Sequence, residues 1–263
     1  MDLHPSRKLG QSFLIDPNLL EALVRDVAPV SGESILEVGP GTGTLTEALL
    51  NAGARVVAVE LDHRLAGFLR ERLGGHAGFQ LVEADACRVD VAEIMGTETF
   101  RCVSNLPYSA GSVVIVNLCE LPHPPVDVFV MVQLEVARRL VATAGTADYG
   151  LMTVRVQAVY EAEILRRISP KVFWPTPAVQ SAFIRLRRRR ERPGGDVAHA
   201  LAVLVRHGFG QRRKQLRTSL KPVLGARLEE YLAGVGAEVT QRAESLSVEQ
   251  WMRLAERTAS SGR

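Results

Sequence analysis

Between Ser34 and Gln133, five short apolar runs alternate with stretches of helical periodicity. That alternation constrains the fold of this 263-residue chain more than any other feature of it. The runs are SILEVG (34–39), ARVVAVEL (54–61), FQLVEAD (79–85), FRCVSNL (100–106) and DVFVMVQ (127–133). Helical patterns follow them over Thr44–Ala52, Asp62–Leu73, Ser112–Cys119 and Leu134–Ala142. The runs before Leu61 and around Val130 are apolar almost throughout, as strands covered on both faces must be. Strand–helix alternation of this length predicts an α/β fold on a doubly wound, mostly parallel sheet. An earlier helix is predicted with Asp16 as N-cap, Pro17 as first residue, and Leu19, Leu20, Leu23, Val24 and Val27 as its apolar face.

After Gly150 the pattern changes. VRVQAVYEAEILRRI (154–168) and SAFIRLRRR (181–189) read as two long strands, an antiparallel pair closing the sheet. The connector SPKVFWPTPAVQ between them holds three prolines and fits neither regular helix nor central strand. Past RERPGGD (190–196) the chain turns helical, and Ser247 with Gln250 forms a capping box for a last helix. The domain boundary is expected at Arg192–Asp196, dividing 1–192 from a small all-helical domain, 193–263.

The net charge of +3 conceals a polarity. Residues 1–165 carry 12 Lys+Arg against 21 Asp+Glu, net −9, and residues 166–263 carry 20 against 8, net +12. A basic back half predicts a polyanionic partner. The clusters RLRRRRER (185–192) and QRRKQLR (211–217) point to nucleic acid, with Arg187, Arg188, Arg212, Arg213, Lys214 and Arg217 as candidate contacts. The opposing reading is a solvated surface that happens to be basic. No segment has the length or apolarity of a signal peptide or bilayer span. Cys87, Cys102 and Cys119 lack metal-ligand spacing and read as buried free thiols, so no metal, no membrane and a cytoplasmic location are expected.

The stretch EVGPGTGTL follows the first run and opens a helix. Gly39, Gly41 and Gly43 permit a tight turn and close approach of a ligand beyond the strand ends. Glu60 closes the second run 17 positions after Gly43, where a carboxylate can accept both hydroxyl protons of a ribose. These features fit a dinucleotide enzyme as well as an S-adenosylmethionine enzyme. Asp85, ending the third run, could accept the amino group of an adenine, or merely cap a helix. Glycine loop, Glu60, Asp85 and Asn105 fall at four successive strand ends, and one adenosine-containing ligand across those ends explains them together.

The fourth run ends in Asn105-Leu106-Pro107-Tyr108. An adenine amino nitrogen is a poor nucleophile because its lone pair is delocalised into the ring. The Asn105 side-chain oxygen and a backbone carbonyl at Leu106 or Pro107 can accept its two hydrogens and hold it in line with a methyl group. Tyr108 offers a face on which the base stacks.

With these segments the chain resembles the rRNA adenine N6,N6-dimethyltransferases of the small ribosomal subunit. GQSFLIDP, LEVGPGTGTLT, VELD, EADA and SNLPY match that family's opening, cofactor and catalytic segments. YGLMTVRVQ, FWPTPAVQSAFIRL, FGQRRKQLRTSL and RAESLSVEQW match its second half. The resemblance implies a seven-stranded Rossmann-like methyltransferase domain with a helical C-terminal domain. It implies a cytoplasmic monomer that uses S-adenosylmethionine to methylate two adjacent adenines near the 3′ end of 16S rRNA in the immature small subunit. Carried over by position, Gln11, Ser12, Leu14, Gly39, Gly41, Gly43, Glu60, Leu61, Asp85, Ala86 and Asn105 bind the cofactor. Asn105 to Tyr108 hold the amine, Phe173 faces the base opposite Tyr108, and Trp174 is packing. Ser12 stands where the family usually has asparagine, and SAGS (109–112) departs from its usual N-I-S.

Three rivals remain on the sequence alone. A 23S rRNA adenine methylase of the antibiotic-resistance type shares the loop and clamp. A catalytically idle RNA-binding assembly or transcription factor could use the same fold. A nicotinamide-dependent oxidoreductase would leave the clamp unexplained.

Overall fold

The computed structural model describes residues 5, 6, 10–211 and 213–260. Its first elements are β1 (Phe13–Leu14), α1 (Pro17–Val27), β2 (Ser34–Val38), α2 (Thr44–Asn51), β3 (Arg55–Glu60) and α3 (His63–Leu73). Then come β4 (Phe79–Glu83), α4 (Val91–Met95), β5 (Phe100–Asn105), α5 (Gly111–Glu120), β6 (Asp127–Gln133), α6 (Leu134–Leu140) and α7 (Leu151–Gln157). The chain finishes with β7 (Tyr160–Ile168), β8 (Phe173–Trp174), β9 (Ser181–Arg188), α8 (Gly195–Gly210), α9 (Leu216–Leu224), α10 (Leu228–Ala233) and α11 (Val248–Ser260).

The seven-stranded sheet runs β4-β3-β2-β5-β6-β9-β7. Its first five strands pair in parallel, and β9 pairs antiparallel to β6. The order reverses direction at β2, so a crevice opens beyond the carboxyl ends of β2 and β5. Every residue of β2 is buried, which is why that run is apolar apart from Ser34 and Glu37. The predicted start of α1 is present, with the Asp16 carboxylate accepting from the Leu19 N–H at 2.9 Å.

The chain divides into two compact units, one of 1–137 and 163–188, the other of 138–162 and 189–263. The segment 138–162 thus belongs with the helical unit, and not with the residues before 192 as the sequence suggests. The expected strand over 154–168 is corrected in its first part, where Leu151–Gln157 form α7 and only Tyr160–Ile168 are strand. Tertiary contacts overrule the β-branched composition. Val154 and Ala158 join the helical core, the buried Thr153 hydroxyl donates to the Arg139 carbonyl at 2.6 Å, and Gln157 donates to those of Leu140 and Ala142.

That helical core centres on Trp251, which is fully buried, with Phe209 at 5.8 Å between ring centroids and Tyr149 beyond it at 6.0 Å. The capping box before α11 forms as expected, Ser247 N–H donating to Gln250 Oε1 at 2.9 Å and Gln250 N–H to Ser247 Oγ at 3.2 Å. No described helix is long and apolar enough to cross a membrane.

Candidate active site

Loops leaving β2, β3, β4 and β5 meet over one cleft of about 1010 Å3, counting space open to solvent. Gly39 and Gly41 follow β2 with φ of +67° and +60°. A Cβ on Gly39 would stand 3.0 Å from the Pro107 ring, and one on Gly41 2.9 Å from the Phe13 ring. The loop therefore lies bare-backed between the clamp proline and the N-terminal segment, which only glycine allows. Gly43 is different. It lies outside the lining, caps α2, and a Cβ there would meet Leu69 at 2.8 Å, so it serves packing.

Glu60 is only 5% exposed. Its carboxylate accepts from the N–H groups of Gly41 at 3.2 Å and Asp62 at 2.9 Å, bracing the glycine loop against β3. Burial raises its pKa above the usual carboxylate value, and the N–H groups of Asp62, Gly41 and Leu61 oppose that shift. A carboxylate keeps acceptor capacity beyond two such bonds, and Glu60 lines the cleft, so a vicinal diol can still be accepted there. Leu61, exposed, adds an apolar wall, and Asp85 and Ala86 complete that side. One Asp85 oxygen is committed locally, accepting from Cys87 N–H at 2.9 Å.

Glu37 was not among the predicted site residues. It is 1% exposed on β2, lines the cleft, and has one oxygen without a hydrogen-bond partner. Burial pushes its carboxyl up to about 8, and the charge of Glu60 adds to the shift. The available signal was an acid inside an otherwise apolar central strand, two residues before the glycine loop.

A strap, Gly10–Leu14, forms another wall. The Gln11 side chain lines the cleft, but Nε2 donates to Asp62 at 3.2 Å and Oε1 accepts from Ser6 N–H at 2.7 Å. Asp62 also receives two bonds from the Arg64 guanidinium, which hold its carboxyl well below the usual range. Ser12 Oγ donates to the Pro175 carbonyl at 2.6 Å, and the Ser12 carbonyl accepts from Asn105 Nδ2 at 3.0 Å. Both side chains hold the strap in place. Leu14 lines the cleft from β1.

Asn105 closes β5, and its bond to Ser12 leaves Oδ1 as the acceptor it can present. The Pro107 carbonyl is taken by the N–H groups of Ala110 at 3.0 Å and Gly111 at 2.9 Å, which start α5. Of the two carbonyls expected as the second acceptor, that of Pro107 is thus already engaged. Tyr108 lines the cleft, half-buried, and its hydroxyl shares a 2.6 Å hydrogen bond with Ser181. Ser109 and Ala110, from the unusual SAGS segment, also form wall.

Phe173 does not join these residues. It is 2% exposed and sits in the core of the sheet unit, paired with Leu14 across a two-residue antiparallel ladder. Its neighbour Trp174 pairs with Phe13 and is 49% exposed. Successive residues of a strand face opposite ways, and this register turns Phe173 inward and Trp174 outward. The expected roles of the two rings are thus reversed with respect to burial.

Among the basic candidates, Arg187, Arg213, Lys214 and Arg217 are exposed, Arg217 lying 3.7 Å from Glu229. Arg212 lies outside the described residues. Part of the first cluster is engaged internally. Arg185 pairs with Asp127 at 2.9 Å, Arg188 donates to the Pro124 carbonyl, and Arg189 lies 4.0 Å from Glu249. No described group of three or more His, Cys, Asp or Glu could hold a metal ion.

A bare glycine loop, a buried carboxylate with acceptor capacity to spare and an asparagine at successive strand ends fit S-adenosylmethionine, and with the sheet order they define a Rossmann-like S-adenosylmethionine-dependent methyltransferase. Residues 4–260 match the family model described as ribosomal RNA adenine dimethylase, and the chain belongs to that family. It is 41% identical over 263 residues to "Ribosomal RNA small subunit methyltransferase A" of Erythrobacter litoralis, covering 98% of this chain and 92% of the other. A protein of the same name from Pseudomonas aeruginosa is 38% identical, with 97% and 96% covered. Among solved structures it is similar to the 23S rRNA methyltransferase ErmE, at TM-score 0.70 and 30% identity, covering 93% and 98%. A dimethyladenosine transferase from Plasmodium falciparum shares the fold at TM-score 0.76 and 20% identity, covering 95% and 98%.

Glu60→Ala removes the brace under Gly41 together with the expected diol acceptor. S-adenosylmethionine binding should weaken by about 1–3 kcal/mol, as expected for lost bonds to a charged acceptor. Calorimetry checks this, and parent affinity in the variant would remove the role.

Proposed function

We propose that this protein methylates the exocyclic amines of two adjacent adenines near the 3′ end of 16S rRNA, in the immature small ribosomal subunit. It acts as a cytoplasmic monomer, and the helical unit contributes RNA recognition. The observation that carries this reading is Asn105, its amide nitrogen held by the Ser12 carbonyl, lining the cleft together with Leu106 and Tyr108.

Bound S-adenosylmethionine supplies an electrophilic methyl carbon on a sulfonium, a good leaving group. Glu60 and Asp85 orient the adenosine portion, Leu61 and Ala86 flank it, and the glycine loop admits it close to the backbone. Asn105 and Leu106 accept the two amine hydrogens of the target adenine and draw its nitrogen toward tetrahedral geometry. Tyr108 recovers part of the stacking that the base loses on leaving the RNA helix. No strong general base is needed, since an N-methylated ammonium loses its proton to water readily.

The test is incubation of the protein with labelled methyl donor and, in parallel, immature small subunits or deproteinised 23S rRNA, followed by nucleoside analysis. N6,N6-dimethyladenosine in 16S rRNA is expected. Label appearing instead in deproteinised 23S rRNA would favour the chemistry of the ErmE-like relative, and no label would leave a binding factor. Neutralising Arg213 and Lys214 together should weaken RNA binding and flatten its salt dependence by roughly one unit of slope per lost phosphate contact. S-adenosylmethionine affinity should stay constant, and an unchanged slope would assign these residues to solvation alone.

A further inference from the structure

Ser181 opens β9, and its neighbour across the ladder is Gln133 of β6. It is fully buried, yet its hydroxyl reaches Tyr108 in the cleft at 2.6 Å. The two residues are 73 positions apart in sequence. Tyr108 itself stands in the turn between β5 and α5, outside any regular element. A tyrosine ring has two side-chain torsions. Tethering its hydroxyl to an atom of the sheet fixes the first, which swings the ring, and restrains the second only weakly, through the in-plane preference of the phenol hydroxyl, because the hydroxyl oxygen lies on the axis of that rotation. A stacking surface for an extruded base benefits from such restraint, since the base must be held without reorganisation when the amine reacts.

We propose that Ser181 is a positioning residue for methyl transfer, holding the Tyr108 ring in the place where the target adenine stacks on it. The proposal rests on the reading of this site as an adenine methyltransferase. It also assigns the phenol hydroxyl a tethering task and no part in proton transfer. Burial raises the Tyr108 pKa, with the Ser181 bond opposing, so the phenol stays neutral and available as a tether near neutral pH. A purely structural bond between two buried hydroxyls would instead show only in stability.

Single-turnover methyl transfer on immature small subunits, S-adenosylmethionine affinity by calorimetry, and the thermal midpoint are measured for Ser181→Ala, Tyr108→Phe and the double variant. Each single change should slow transfer on the order of tenfold, within the range that small misplacements of a reacting group produce. Cofactor affinity should be unchanged, and the pH–rate profile of Tyr108→Phe should keep the parent shape. The double variant should be no slower than the slower single variant, because both remove the same bond. Parent-rate transfer by Ser181→Ala, or losses that multiply in the double variant, would overturn the proposal. If Ser181→Ala does not fold, Tyr108→Phe alone decides, and parent-rate transfer by it overturns the tether. A parent protein that leaves the rRNA unmethylated would overturn the adenine reading itself, which is a distinguishable failure.

Discussion

Asn105→Ala should slow methyl transfer by roughly a hundredfold to a thousandfold, the loss seen when one preorganised polar contact to a reacting group is deleted. Affinities for S-adenosylmethionine and RNA should move only a few fold, so the loss appears in the transfer step under saturation. The orientation of the amide makes the expectation specific. Nδ2 donates to the Ser12 carbonyl at 3.0 Å, so rotating the amide would trade a donor for an acceptor facing that carbonyl. Oδ1 is thereby left to accept. Asn105→Asp retains an acceptor but loses the bond to Ser12, and should fall between the parent and Asn105→Ala. Single-turnover kinetics with calorimetry separates these outcomes, and parent-rate transfer by Asn105→Ala would end the clamp mechanism.

Phe173→Ala should destabilise the sheet unit by about 3–5 kcal/mol, the usual cost of emptying a buried phenylalanine site. The ring is 2% exposed and faces Leu14, which lines the cofactor cleft, so cofactor binding should weaken as well. The measurement is simplified by the two tryptophans, one in each compact unit. In a Trp251→Phe background, Trp174 emission follows unfolding of the sheet unit alone. An unchanged midpoint together with collapsed methyl transfer would return Phe173 to the substrate and away from the core.

The contrast between these two residues shows what was readable from the sequence. Asn105, Glu60 and Asp85 end apolar runs, and a polar residue at such a place has few structural uses. Strand ends and loop glycines are local features, so that side of the cleft can be assembled from spacing, whereas Gln11, Ser12 and Leu14 come only with the family resemblance. The face that Phe173 presents depends on the register of a two-residue ladder with β1, a partner 159 positions away. No local pattern encodes that. The same holds for Gln11 and Ser12, whose side chains find Asp62 and the Pro175 carbonyl across the fold. The second half of the helix Leu151–Gln157 reads as strand because its β-branched Val154 and Val156 suggest one. Packing against the helical core decides their conformation instead. Glu37 is legible in principle, as an acid within an otherwise apolar run.

The division into units has a consequence for how the chain is made. Synthesis runs from the amino end, and 138–162 leave the ribosome before the strand residues 163–188 that complete the sheet unit. Tyr149, Val154 and Ala158 in that earlier segment belong to the core built by Leu204, Phe209 and Trp251. They must therefore wait, uncovered, until almost the whole protein has emerged. At about 5–20 residues per second, the interval between Ala158 and Trp251 lasts several seconds. During that time a nearly finished enzymatic half carries a sticky, unburied tongue, and a nascent chain stalled before α11 would be a natural client for a chaperone.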